Sequence, residues 1–458
     1  LRAQAEQGDA QAQFELGAAF DSGSLGVATN YVEAVKWYHR AAEQRHAKAQ
    51  YNLGWTYHQG KGVAVNYVEA VRWWRKAAEQ NDSQAQFNLA ICYTKGQGVA
   101  MDEVEAVQWF RKAAEQNDSE GQACLALCYA DGKGVAKDER EAAKWYQRAA
   151  EQNYRLAQLN LGIYYHHGRG VKKDLAEAMK WYRKAADQND RQAQYNLAVG
   201  YRDGHGVEKN LAEAMKWYRK AAEQNDPQAQ YNLGIGYRDG LGVTKDAVEA
   251  AKWIRRAADQ NHLAAQFNLG ICYTEGQGVA KDEVEAVKWY RKAAEQNFGP
   301  AQNNLGTCYF SGLGVPKDEV EAYKWMLLAA AQGHEQGKNN VAAAERQLTR
   351  QQLAEGQKRA GDFKLPELPS LGAQQGEAAS NPLANLGARA ATGDAQAQSE
   401  LGEALYAGKL GVAKDPVEAV KWFRQAAEQG FAAAQSNLGV CYERGDGVVK
   451  NEVEAYKW

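Results

Sequence analysis

The chain has 458 residues, with 55 Lys plus Arg set against 57 Asp plus Glu and a formal net charge of -2. A balance that close to zero excludes a nucleic-acid binder relying on bulk positive charge, and it implies no acidic membrane partner. No stretch reaches the 18 consecutive apolar residues of a helical membrane span. The chain opens on Leu1 rather than Met and stops at Trp458 inside a motif; we take it as a piece of a longer protein.

A short N-terminal cap helix is expected ahead of Asp9, and a strict period follows it. Trp37, Trp73, Trp109, Trp145, Trp181, Trp217, Trp253, Trp289 and Trp325 stand 36 residues apart. An Ala-Gln pair keeps the same step, as at Ala85, Ala193 and Ala229. A period of this length marks a solenoid. Each repeat predicts two helices. The second carries Ala106, Trp109, Phe110, Ala113 and Ala114, the stripe of an amphipathic helix. Asn or Asp with Glu three residues on, as in Asp102–Glu105 and Asn210–Glu213, predicts a capping box in which both side chains bond backbone N–H groups. Most of these Glu residues also face Lys or Arg three residues on, as Glu177 faces Lys180. The first helix carries Ala85, Leu89, Ala90 and Tyr93 and runs into a glycine pair, Gly96 and Gly98. The first glycine should close the helix in the left-handed conformation and the second should allow a tight turn. Asn81, Asn117 and Asn225 should fill the same conformation at the far end, with Asp82 or Asp226 capping the next helix. Short connections require antiparallel neighbours.

After Trp325 the pattern changes. Residues 334–363 predict two capping helices, the later one started by a Thr349–Gln352 box, and 364–383 contains three prolines and reads as a linker. From Leu386 the opening phrase LRAQAEQGDAQAQFELG returns as LGARAATGDAQAQSELG. The expected organisation is a first array over 1–333 (cap helix plus nine repeats), its caps over 334–363, the linker, and the start of a second array over 384–458.

The phrase LG..Y..G.GV..D..EA.KWYRKAAEQ closely resembles the Sel-one-like repeat of the tetratricopeptide superfamily. That resemblance implies an all-α fold, a right-handed superhelical solenoid whose first helices line a concave face, and an adaptor role. Some cysteine-rich relatives are described as penicillin-binding or weakly β-lactam-hydrolysing, and they carry a bridged cysteine pair in each repeat. The matching positions here are Ala78 and Gln86, or Ala222 and Gln230, so neither the bridges nor that activity is expected. Cys92, Cys128, Cys272, Cys308 and Cys441 share one small slot. Stacked helices about 8–10 Å apart would hold these thiols too far apart for disulfides.

No nucleophile elbow, Walker loop, dinucleotide fingerprint or zinc-ligand spacing occurs. His166, His167 and His205 are expected to be solvated loop residues, and no cofactor or metal is expected. Candidate partner-binding residues lie on the first helices. Tyr51, Phe87, Tyr195, Tyr231 and Phe267 share one slot, and Asn52, Asn88, Asn160, Asn196, Asn232, Asn268 and Asn304 form the row beside it. An amide can donate to and accept from a peptide backbone at once, or it can bond a neighbouring loop. Arg202 and Arg238 could grip a carboxylate of a partner or pair locally with Asp203 and Asp239. The expected function is a monomeric, non-catalytic scaffold for a protein or peptide, with a glycan or peptidoglycan ligand as the alternative because aromatic rows also stack on sugars.

Overall fold

The computed structural model describes residues 1–363 and, beyond them, 386–387, 390, 395–407, 415–428, 432–444, 446 and 448. The linker expected at 364–383 lies outside the described residues. Among those described, the regular elements are α-helices, most of them 13 residues long. The chain divides into two compact units, Leu1–Lys281 and Asp282–Trp458.

In the first unit the repeat is an antiparallel helix pair, as in Arg191–Asp203 with Leu211–Glu223. Asp190 Oδ1 accepts the Ala193 N–H at 2.9 Å and so starts the first helix. Gly204 ends it with φ of 76°, its N–H donating to the Gly200 carbonyl at 2.9 Å. Asn81, Asn117 and Asn225 do take the left-handed conformation, with φ of 64°, 68° and 66°.

The predicted capping box forms by halves. Asn210 Oδ1 accepts from the Glu213 N–H at 3.0 Å, and Asp174 Oδ1 from that of Glu177 at 2.9 Å. The glutamates do not reach back; they accept from Lys216 at 2.6 Å and Lys180 at 2.7 Å. The cap residue's own N–H is already used. It donates to the end of the preceding helix, Asn210 to the Tyr201 carbonyl at 2.8 Å and Asp174 to that of Tyr165 at 3.0 Å. This bond ties the two helices of a repeat together and leaves the glutamate no backbone donor to satisfy.

The tryptophans lie between repeats. Trp73, 3% exposed, packs with Leu53 of its own repeat against Ala34 and Tyr38 of the repeat before it. Trp253 does the same, with Leu233 of its own repeat, against Tyr218 and Ala222 of the one before. Each ring is covered on its outer side by the cation three residues on: Lys76 stands 4.1 Å over Trp73, Lys184 3.9 Å over Trp181 and Lys220 4.0 Å over Trp217. Trp145 is the exception in the unit, being half-buried.

A buried amide ladder completes the frame. Gln194, 1% exposed, donates through Nε2 to the Ala186 carbonyl at 3.3 Å and to Asn189 Oδ1 at 3.0 Å. Its Oε1 accepts from Gln224 Nε2 at 2.7 Å. Gln158 and Gln230 repeat the pattern, accepting from Gln188 and Gln260. Each glutamine thus joins its helix to the helix ends on both sides. At the N-terminus Gln13 finds its carbonyl, Ala5, on the short helix Arg2–Glu6. The positions matched to bridged cysteines carry this same bond: Gln86 to Ala78 and Gln230 to Ala222, both at 3.1 Å.

In the second unit, the ladder runs through Gln302, which donates to Ala294 at 3.1 Å and accepts from Gln332. One repeat on, the slot holds Lys338, which is exposed and paired with Glu335 at 2.7 Å. Helices Glu335–Glu345 and Arg350–Gly361 pack on Glu319–Ala331 through Tyr323, Met326, Ala344 and Leu348. The Thr349–Gln352 box closes as predicted. Later in the chain, Val420, Phe423, Leu438 and Cys441 form a core of their own.

Candidate functional site

The residues that repeat most faithfully are thus consumed by packing, capping and the amide ladder. A binding surface has to come from what the frame leaves over. On the first helices that remainder is the face bearing the aromatic slot and the asparagine row, and every candidate residue on it is half-buried.

The aromatic slot is anchored inward. Phe87 packs against Phe110 and Tyr195 against Tyr218, each with ring centroids 5.9 Å apart. Tyr231 stacks on His262 at 4.8 Å. Burial pushes the hydroxyls of Tyr51, Tyr195 and Tyr231 up, so they stay protonated and available as hydrogen-bonding groups.

The asparagines bond in a way the sequence did not suggest. Nδ2 of Asn160, Asn232 and Asn268 donates to the carbonyl one turn back on its own helix, at 2.9, 2.9 and 2.8 Å. Asn268 Nδ2 also donates to Tyr231 Oη of the preceding repeat at 3.2 Å. Asn196 accepts from Gln192 at 3.1 Å, and Asn304 accepts from Asn303 at 3.4 Å. Asn268 thus joins the aromatic residue of the preceding repeat rather than a loop, whereas Asn160, Asn196, Asn232 and Asn304 bond within their own helices.

Both arginines pair locally. Arg202 grips Asp203 with Nε and Nη2 at 2.8 and 2.7 Å, and Arg238 grips Asp239 at 2.8 and 2.9 Å. Arg238 Nη1 also donates to Asn268 Oδ1 at 2.9 Å. The bidentate pairs hold both carboxyl groups below their ordinary range.

One row escaped the sequence reading. One turn beyond the asparagines stand Trp55, Ile91, Leu127, Ile163, Val199, Ile235 and Ile271, all apolar and none buried. Leu127 is 51% exposed and Trp55 40%. The signal was present: this slot follows a buried Leu-Gly or Leu-Ala and, except at Tyr164, precedes a small residue, and it keeps an aliphatic or Trp side chain in successive repeats. It was passed over because an apolar letter beside a core position reads as core.

The His166 and His167 rings meet edge-on at 4.8 Å, and burial holds both below the usual imidazole range. Among the described residues no group of three or more His, Cys, Asp or Glu is arranged to hold a metal ion. Cys92 and Cys272 are buried while Cys128 and Cys308 are half-buried; burial pushes the Cys92, Cys128 and Cys308 thiols up to about 11. They are protonated, poor nucleophiles.

The family model described as Sel1 repeat matches residues 10–46, 47–82, 83–118, 119–154, 155–190, 191–226, 227–262, 263–298, 299–334, 395–431 and 432–458. The chain belongs to the Sel1 repeat family. Its repeats begin at the first helix, so each pairs that helix with the tryptophan helix that follows. A solved structure of c5321, a protective antigen of uropathogenic Escherichia coli strains with an SLR fold, is 35% identical, with a TM-score of 0.69 over 100% of this chain and 85% of that one. A Sel1 repeat protein from Oxalobacter formigenes is 33% identical, with a TM-score of 0.53 over 67% of this chain and 89% of its own. No curated protein matches. Sel1 repeats generally serve as protein-interaction scaffolds, and the fold is typically non-catalytic. Among the described residues no helix is long and apolar enough to cross a membrane.

Proposed function

We propose that this Sel1-repeat chain is a non-catalytic, monomeric scaffold that binds a protein or peptide along the concave face lined by its first helices. The observation that carries this reading is the apolar row from Trp55 to Ile271, left partly exposed on a frame whose repeated side chains are used in packing, capping and the amide ladder. A soluble surface that keeps a long apolar row in contact with water is a binding surface. Tyr51, Asn52, Phe87, Asn88, Asn160, Tyr195, Asn196, Arg202, Tyr231, Asn232, Arg238, Phe267 and Asn268 border the row and set its polar edge; Asn304 holds the matching slot in the second unit. A glycan would need open ring faces; the stacking of Tyr231 on His262 favours the polypeptide reading over it. We also propose that 384–458 begins a second array of the same kind.

Trp55→Ser with Leu127→Ser tests the reading, because both side chains are exposed and their loss leaves the core intact. The immobilised double variant should melt like wild type and recover a bound polypeptide from lysate at least about tenfold less well, the scale of one lost apolar hot spot. Equal recovery by both forms, or recovery of glycans without any polypeptide, would overturn it.

A further inference from the structure

Five first helices of the first unit are started by an aspartate whose carboxylate accepts the N–H three residues on, as Asp82, Asp118, Asp190 and Asp226 do. Two joints in the first unit use histidine instead. His46 Nδ1 accepts the Ala49 N–H at 3.2 Å, and its Nε2 lies 3.0 Å from Gln11 Oε1 of the preceding repeat. His262 Nδ1 accepts the Ala265 N–H at 3.1 Å, with Nε2 3.0 Å from Gln228 Oε1. Each ring also stacks on an aromatic residue of that preceding repeat, Phe14 or Tyr231, at 4.8 Å.

These contacts fix one protonation state. Nδ1 faces a backbone donor and must carry a lone pair, whereas Nε2 faces an amide oxygen and must carry the hydrogen. We propose that His46 and His262 are acid-sensitive joints, at which protonation of Nδ1 uncaps the helix that follows and loosens its seat on the repeat before. The protonated ring would set a donor against a donor and place a positive charge at the positive end of a helix. An aspartate in the same place stays an acceptor through that range.

The surroundings agree. Burial, more than any charge, holds both imidazoles below their ordinary value; for His46, Lys48 on the same helix adds to the effect. Across from His262, Gln228 is uncharged, and Tyr231 has its hydroxyl pushed up by burial. Because the folded value is lowered, the joint has its full stability above the ordinary imidazole value of about 6.5 and loses it as pH falls below.

Amide exchange on the whole chain, corrected for the intrinsic chemistry, reads this directly. Between pH 7.5 and 5.5, protection over 263–269 should fall about tenfold, the size of a lost cap, while the Asp190-capped stretch 191–197 changes little. His262→Asn keeps an acceptor that does not titrate and should remove the fall at 263–269. Equal losses at both stretches, no loss in wild type, or an undiminished loss in the Asn variant would each overturn the proposal.

Discussion

Replacing Trp217 by alanine should destabilise the first unit by about 3–5 kcal/mol, the usual cost of emptying a buried indole site. Trp217 is 4% exposed and shares one core with Met179, Tyr182, Leu197 and Tyr218. Its ring also carries Lys220 at 4.0 Å and Arg183 at 4.8 Å. Removal therefore opens a cavity at the seam between repeats and takes an aromatic ring away from two cations. Because an array is stabilised by nearest-neighbour seams, the loss should be local. Urea unfolding would show the drop, and amide exchange should place it in the helices around 175–239 rather than near the N-terminus. Trp145→Ala is the control: half-buried, it should cost distinctly less. Equal costs at the two sites would mean that burial between repeats is not what makes the tryptophans matter.

Gly206→Ala should cost about 2–5 kcal/mol, although it adds a single methyl group. Gly206 has φ of 72°, which alone penalises a Cβ by about 1–2 kcal/mol. The added atom would also lie 2.2 Å from the Leu175 carbonyl at the start of the previous repeat's second helix, so backbone must move, at a further ~1–3 kcal/mol. Gly204, also left-handed, has its nearest neighbour at 3.4 Å, in the side chain of Lys209. Gly204→Ala should therefore show the conformational part alone. A thermal melt of the two variants separates turn conformation from close approach, and identical losses would remove the contact with Leu175 from the explanation.

Much of the frame was legible because packing residues and caps have a fixed period and few chemical alternatives. Trp73 had to be buried, and Asp82 before a helical stretch had to cap. What stayed hidden depended on partners far along the chain. Glu213 looked like half of a capping box because nothing local reveals that the Asn210 N–H is donated to Tyr201. Gln194 was legible only as part of a periodic Ala-Gln pair, and its bonds to Ala186, Asn189 and Gln224 make it a buried clamp. The asparagine row was legible as a row, but its use was not: Asn268 bonds Ala264, Tyr231 and Arg238 at once. The apolar row from Trp55 to Ile271 was missed for the opposite reason, since exposure cannot be told from burial by a letter alone.

The most direct test of a scaffold that binds along its first helices is site-specific photo-crosslinking in lysate. A photoreactive residue at Leu127 should join covalently to a polypeptide partner, while the same residue at Lys144, on the second helix and paired there with Glu141, should not. Crosslinks from Lys144 alone, or equally from both positions, would contradict the assignment of the binding face.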